Sequence, residues 1–401
     1  MNPNGQAAVG RPRVWLLVQV ALFIGYLDAV FWVIPRDYLR YKFNQLLFDY
    51  AHGLARRSLE GEILRHLVAP PYSLGFFREF AGVQTLVALL LFAVVAGVVA
   101  ARSSSVSRLL LALVILSSPT TFKNMVFDLG RQDAIGVIVL EVAVLLGLAR
   151  SQRMLPAFVS VVTLPLALMN ENLLLLYVPA CLAIHGSRLA AGWRGRAKGV
   201  APALLGLAPF AVFAASCLVC VFLPSPTIPR DAYRAYLQTK SIGKLDPGQP
   251  ERWLYSGAAE NFEFARGEWA KFAHLQREGL PQYLVFGAVL ALACVLVARS
   301  LKDGEVRGRR LYLAGLFAIL PGYAVLFLGA SDIARWFANL NLAMLVFSFW
   351  YLSWSEAEPP APAWRPLIPV AAVQLFLFGG FGVVFPAFDL AGDFARFLSL
   401  F

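Results

Sequence analysis

The sequence predicts an all-α, polytopic membrane protein of about eleven transmembrane helices. Three observations predict it. First, 59% of the 401 residues are hydrophobic and 15% charged, with mean hydropathy +0.65, whereas ordinary globular chains run at about 45–50% and about 25%. Second, apolar runs approaching the roughly 20 residues that a bilayer demands recur along the chain. Third, cations gather in alternate short loops. Together these exclude a soluble enzyme, a disordered chain and a fibrous protein. The net charge of +11 would suggest nucleic acid in a soluble protein. Here it is ascribed to membrane topology and to anionic lipid or phosphate partners, with no nucleic acid expected.

The first run, Val14–Ile34, follows Arg11 and Arg13 and ends in Trp32-Val33-Ile34-Pro35. It lacks a small-residue cleavage site, so a retained helix is expected rather than a signal peptide. Further spans are expected at Phe80–Ala101, Leu109–Ser118, Ala134–Ala149, Leu155–Met169 and Leu173–Ile184. Val200–Leu223, Tyr283–Ala298, Leu311–Leu328, Phe337–Ser353 and Leu367–Pro386 complete the set. One integral-membrane domain is expected over 1–401. Arg102 and Arg108, Arg150 and Arg153, Arg188 to Lys198, and Arg299 to Arg310 mark four cation-rich short loops. These belong on the cytoplasmic side. The N-terminus is then cytoplasmic, the C-terminus external, and the two long loops Pro35–Arg78 and Pro224–Gln282 external. Trp15, Trp32, Trp336, Trp350 and Trp354 stand at span ends, where an aromatic belt is expected. Cys181, Cys217, Cys220 and Cys294 all lie within apolar runs and are expected to fill the core as small hydrophobes.

Two hairpins are short. Met154–Ile184 must cross twice between cytoplasmic flanks, although two full crossings need about 40 residues. Its turn, Asn170-Glu171-Asn172, is therefore expected below the outer surface, as is the turn Pro119–Asp133 of the hairpin before it. Polar backbone at that depth is tolerated only within protein or against a water-filled cavity, so an externally open polar cleft follows.

Four polar clusters fall on that outer side. The first loop carries Asp49, His52, Arg56 and Arg57; a helix here would put Asp49, His52 and Arg56 on one face. A carboxylate beside a guanidinium suits a base with a phosphate clamp. The second cluster is Asp128-Leu129-Gly130-Arg131-Gln132-Asp133, with Asp133 a candidate helix cap. The third is Asn170-Glu171-Asn172, whose glutamate needs a partner or water at such depth. The fourth pairs Asp332 with Arg335, three apart and so on one helical face. Asp28 and Glu141 lie inside spans, where an ionisable group is a functional suspect by default. No Walker loop, HExxH, GxSxG or dinucleotide fingerprint is present. The four histidines are scattered, so no histidine metal site is expected. A divalent ion held by carboxylates near Asp49 or Glu171 is the one cofactor the sequence leaves open.

This layout resembles the C-type integral-membrane glycosyltransferase superfamily. Asp49, within Phe48-Asp49-Tyr50 on a long loop after the first span, matches the placement of that superfamily's catalytic acid, although only this acid stands there before Glu60. Later short hairpins with charged turns line the cavity in those enzymes, as Asp128–Asp133 and Asn170–Asn172 would here. The segment Gly53 to Gly61 is also similar to one in bacterial envelope-polysaccharide membrane proteins, some of them taken for oligosaccharide-repeat polymerases. The resemblance implies a bacterial plasma-membrane enzyme that moves a sugar from a polyprenyl-phosphate donor to a glycan, lipid or protein acceptor outside the membrane. Asp49 and Glu171 would be catalytic. Arg56, Arg57, Arg131 and Arg335 would grip phosphate bidentately, with His52, Asp128, Asn170, Asn172 and Asp332 around the substrate. Two rivals remain: a polymerase, which would hold its growing chain on the loop Pro224–Gln282, and a secondary transporter, which predicts broken helices at the midplane.

Overall fold

The computed structural model describes residues 36–376 except 103–104, 128, 150, 152, 194–199, 249, 257, 304, 330–331 and 358–360. The expected first span, Asp28, Trp15, Trp32, Asp128 and the end of the last span lie outside the described residues.

The described chain is helical. The first long loop folds as α1 (Arg36–Leu46) and α2 (Leu59–Leu67). The bundle then begins with α3 (Leu74–Arg102), α4 (Val106–Ser117), the short α5 (Phe122–Phe127) and α6 (Asp133–Leu148). It continues with α7 (Met154–Met169), α8 (Glu171–Trp193) and α9 (Val200–Phe222). The second long loop contributes α10 (Arg230–Thr239) and α11 (Arg252–Tyr255). Then come α12 (Ala258–Ser300), α13 (Arg309–Gly329), α14 (Ile333–Trp354) and α15 (Leu367–Phe376). Among the described residues six spans, Leu74–Ala100, Val106–Val126, Glu171–Gly192, Leu280–Ser300, Arg309–Phe327 and Ile333–Trp354, are long and apolar enough to cross a bilayer, and Met154–Met169 and Gly206–Phe222 are shorter apolar helices. The molecule is an all-α polytopic membrane protein.

Helix α14 is the axis of the bundle, packed on α4, α6, α8, α12 and α13 and buried along nearly its whole length. This corrects one expectation. Trp336 and Trp350 are buried, stacked into the helix core and not into an interface belt. Helix α8 corrects another. It runs on to Trp193, so only α7 is a short arm and the turn between them is not sunk by two truncated helices. The sequence hides this extension because His185 and Arg188 interrupt the apolar run. Both are satisfied inside the protein, His185 on the Gly206 carbonyl and Arg188 on the Leu146 carbonyl. The α8–α13 contact is close. Pro179 has no N–H to give the Leu175 carbonyl, and Gly322 of α13 lies against that carbonyl, where a Cβ would collide with it. One residue further on, Tyr323 donates its hydroxyl to the Leu176 carbonyl at 2.7 Å.

At one end of the bundle the two long loops fold on each other as a cap with its own apolar core. Leu39, Phe43, Leu47, Phe48 and Leu64 come from the first loop; Tyr233, Leu237, Leu245 and Leu254 come from the second. The loops are stitched by backbone bonds from Tyr72 to the Lys240 carbonyl (2.8 Å) and from Ile242 to the Tyr72 carbonyl (2.7 Å). Gly61 is required where α2 crosses the preceding chain, since a Cβ there would fall on the carbonyl oxygens of Phe48 and Leu46. Helix α12, at 43 residues, is about 65 Å long. It therefore reaches from the cap through the full depth of a bilayer of roughly 30 Å.

Candidate functional site

The boundary between cap and bundle is where the polar clusters meet. Helix α6 starts at Asp133, and α14 starts one residue after Asp332, so both helices open at this level. Asp133 does not cap α6; Gln132 holds that position and makes no side-chain cap bond. Instead Asp133 takes the fork of Arg335, with Nε to Oδ2 at 2.7 Å and a terminal nitrogen to Oδ1 at 2.7 Å. Asn339 donates to the same carboxylate at 3.3 Å and accepts from the Tyr177 hydroxyl at 2.6 Å. Asp332 bridges to Arg131 at 3.3 Å and to Arg335 at 3.6 Å. The second and fourth clusters are thus one ionic network.

The first and third clusters are joined likewise. Arg57 wraps its guanidinium around the Glu171 carboxylate, Nε standing 3.0 Å from each oxygen and a terminal nitrogen closer still to Oε1. The side chains keep 15% and 24% exposure. Arg57 holds a backbone φ of 60°, a left-handed conformation uncommon outside glycine and of the kind that concentrates at functional sites. Burial opposes its charge, but Glu171 beside it holds the guanidinium above its ordinary pKa. The Arg57 guanidinium also lies over the Trp253 ring at 5.7 Å. That indole donates to the Tyr41 hydroxyl at 2.9 Å and stacks with Arg252 at 4.6 Å. Asn170 ends α7, and its side chain accepts from the Asn172 amide at 3.0 Å, fixing the start of α8. Arg57 and Arg335 lie within electrostatic reach of each other, as do Arg335 and Arg131. Three arginines that repel one another are held by Glu171, Asp133 and Asp332.

Asp49 sits elsewhere. Residues 47–58 form no helix, so the expected common face of Asp49, His52 and Arg56 does not exist. Arg56 instead donates to the Ser256 carbonyl at 2.5 Å. His52 sets its ring edge-on to Tyr236 at 4.5 Å, and its carbonyl accepts from the Thr227 amide at 2.8 Å. The Asp49 side chain is fully buried in the cap. It accepts from Lys240 at 2.9 Å, Tyr236 at 2.7 Å, the Ala51 amide at 3.1 Å and Arg65 at 3.5 Å. Burial pushes its carboxyl up, but the Lys240 and Tyr236 bonds hold it below the ordinary aspartate range. A carboxylate so held is a clasp between the loops, with no edge left for an acceptor.

Sequence reasoning missed several participants, among them Trp253, Lys240, Tyr236, Asn339, Tyr177 and Glu60. Glu60 is buried and accepts from Gln84 at 2.8 Å and Gln132 at 2.6 Å, tying α2 to α3 and to the residue before Asp133. Nothing in the local sequence marks these residues, because each acquires its role from a distant segment. The open question of a divalent ion has this geometry: Asp49 and Glu171 belong to separate clusters. Among the described residues no group of three or more His, Cys, Asp or Glu side chains could hold a metal.

Fold and site define an integral membrane protein with an ionic layer between a helical cap and its bundle. The family model described as "Uncharacterised membrane protein Rv1490" matches residues 13–242, more than half of the chain, and the chain belongs to that family. No curated protein and no solved structure matches the chain.

Proposed function

We propose that the protein transfers a sugar from a polyprenyl-phosphate donor to a glycan, lipid or protein acceptor at the cap side of the membrane. In this reading the cap faces outward from a bacterial plasma membrane. The cations Arg108, Arg188, Arg307 and Arg309, all bonded to backbone carbonyls at the other end of the bundle, then lie in the cytoplasm, in accord with the positive-inside rule.

The observation that carries the proposal is the partly open Arg57–Glu171 pair, with Trp253 beside it and Arg131 and Arg335 within electrostatic reach. A lipid phosphate arriving from the membrane meets a level rich in guanidinium groups, the best matched of all side chains to its oxygens. Arg57 is the group that can exchange Glu171 for the phosphate. Arg335, its fork filled by Asp133, sets the position of the layer. The Glu171 carboxylate, relieved of Arg57, accepts the proton of the acceptor hydroxyl as that oxygen bonds the sugar's anomeric carbon. The bond from that carbon to the phosphate oxygen breaks, and the phosphate leaves with its charge on the arginines. The Trp253 ring offers an apolar face for the sugar.

The test is turnover of a polyprenyl-phosphate sugar by the purified chain, read as release of polyprenyl phosphate. Glu171→Gln removes the base and is expected to lower turnover by about 10²–10⁴-fold. Wild-type protein that releases nothing with any donor sugar, or a Glu171→Gln variant at the wild-type rate, refutes this assignment. A second reading, a secondary transporter, draws on one observation. The span Val106–Val126 is broken between α4 and α5, and Ser117, Ser118, Thr120, Thr121, Lys123 and Asn124 at the break are all buried. Broken helices with polar backbone are a feature of transport sites. Solute uptake by proteoliposomes lacking a lipid donor separates the two.

A further inference from the structure

Helix α6 is apolar from Ala134 to Leu148 with one exception, Glu141. That residue stands eight positions after Asp133, about 12 Å along the helix from the ionic layer, and seven before the helix ends. It has no exposed surface. Neither carboxyl oxygen has a hydrogen-bond partner among the described residues. Its neighbours one turn away on α6 are Val137, Ile138, Val144 and Leu145, which offer no donor.

The elements packed on α6 are α3, α7, α8 and α14; on α14 the indole nitrogens of Trp336 and Trp350 have no hydrogen-bond partner among the described residues, Trp350 packing against Gly147, six residues from Glu141. Helix α7 has no charged residue. On α8, Tyr177 serves Asn339, while His185 and Arg188 serve backbone carbonyls; Cys181 is the one other titratable group beyond Glu171. On α14, Arg335 is held by Asp133, and Tyr351 donates to the Gly308 carbonyl. Helix α3 carries Arg78 and Glu79 in its first turns and Arg102 as its last residue, none at the depth of Glu141.

An ionised carboxylate in apolar surroundings without a donor or a counter-charge is too costly to persist, and such a group takes a proton instead. We propose that Glu141 is a proton-binding site of the membrane domain, occupied as the neutral carboxylic acid. The ligand is a proton and not a metal cation, because a hard cation needs several oxygen ligands and the surrounding turns supply none. Uptake moves one proton from water onto a carboxylate oxygen and changes no other bond. The site is independent of the sugar-transfer reading, and it gives the bundle a single buried charge that appears only when the proton leaves.

Two measurements on the purified full chain in detergent micelles test this. In infrared spectra the acid form contributes a protonated-carboxyl stretch that a carboxylate lacks. Glu141→Gln is expected to remove one such band, and Glu141→Asp to shift it. Dicyclohexylcarbodiimide, a hydrophobic reagent, bonds its central carbon to the carboxyl oxygen while the acid proton passes to a carbodiimide nitrogen. The adduct rearranges to a stable N-acylurea that peptide mass mapping locates. Labelling at Glu141 by this reagent and not by a water-soluble carbodiimide is expected, with loss of that adduct in Glu141→Gln. Should Glu141→Gln fail to fold, labelling of the wild-type residue and the band shift in Glu141→Asp decide. Infrared spectra in which neither variant changes the protonated-carboxyl band overturn the proposal, whatever the labelling.

Discussion

The Arg335–Asp133 pair invites dissection by substitution. Both side chains are nearly enclosed, at 4% and 6% exposure, and the pairing is bidentate. Removing one partner of such a pair strands the other charge, which costs about 3–5 kcal/mol. Two neighbours soften the loss here: Asp332 stands 3.6 Å from Arg335, and Asn339 donates to Asp133. We therefore expect Arg335→Met and Asp133→Leu each to cost about 3 kcal/mol, roughly a hundredfold in the folding equilibrium. The double variant leaves no stranded charge in the pair, since Arg131 still holds Asp332 at 3.3 Å, and apolar replacement of a buried pair is often neutral. The double should therefore cost less than either single. Unfolding by sodium dodecyl sulfate in mixed micelles, followed by far-ultraviolet ellipticity, measures all four proteins. Single variants with wild-type midpoints, or a double whose loss equals the sum of the singles, would show that the pair is not a coupled buried ion pair.

Three further outcomes are expected. The Asp49 carboxyl is held below its ordinary range, mainly because the Lys240 and Tyr236 bonds outweigh burial. Its contribution to the cap is thus complete above the ordinary aspartate pKa and lost as pH falls through the depressed value; protease resistance of the loop 224–282 should show this acid transition, and Asp49→Asn should abolish it. Glu60 behaves oppositely: burial outweighs the Gln84 and Gln132 bonds and pushes its carboxyl up. Its stabilising contribution is full below the ordinary glutamate pKa and lost as pH rises through the raised value, so a pH series of melting temperatures should slope in wild type and flatten in Glu60→Gln. Gly322→Ala should lower stability by about 2 kcal/mol through overpacking against Leu175, and an unchanged melting temperature would show that α8 and α13 can separate freely.

The bundle was legible because a bilayer imposes a length and a polarity on every crossing. Phe80–Ala101 falls inside α3 and Phe337–Ser353 inside α14. What escaped was anything decided by a neighbour. Trp336 and Trp350 stand at the ends of their apolar run and look like belt residues, yet α14 is the central helix and buries both. His185 and Arg188 look like the end of a span, yet carbonyls of α6 and α9 absorb them. The convergence of Arg57, Asp133, Glu171 and Arg335 on one level followed from topology alone. Their pairing did not, since Arg57 is 114 positions from Glu171 and Asp133 is 202 from Arg335. The common helical face expected for Asp49, His52 and Arg56 was misjudged because a short motif invites a helix, whereas Gly53 with φ 106° and the left-handed Arg57 turn the chain instead.

The cap also sets a schedule for assembly. Asp49 meets Lys240 across 191 positions of sequence, and Leu47 and Phe48 share their core with Tyr233 and Leu237. At ~5–20 residues per second the ribosome needs about 10–40 s to supply the second half after the first. During that interval α3 to α9 must enter the membrane while the first loop waits with half an apolar core and with Asp49 lacking its Lys240 and Tyr236 donors. The cap is therefore a late structure, and its closure reports that the helices between its two halves have been inserted in order.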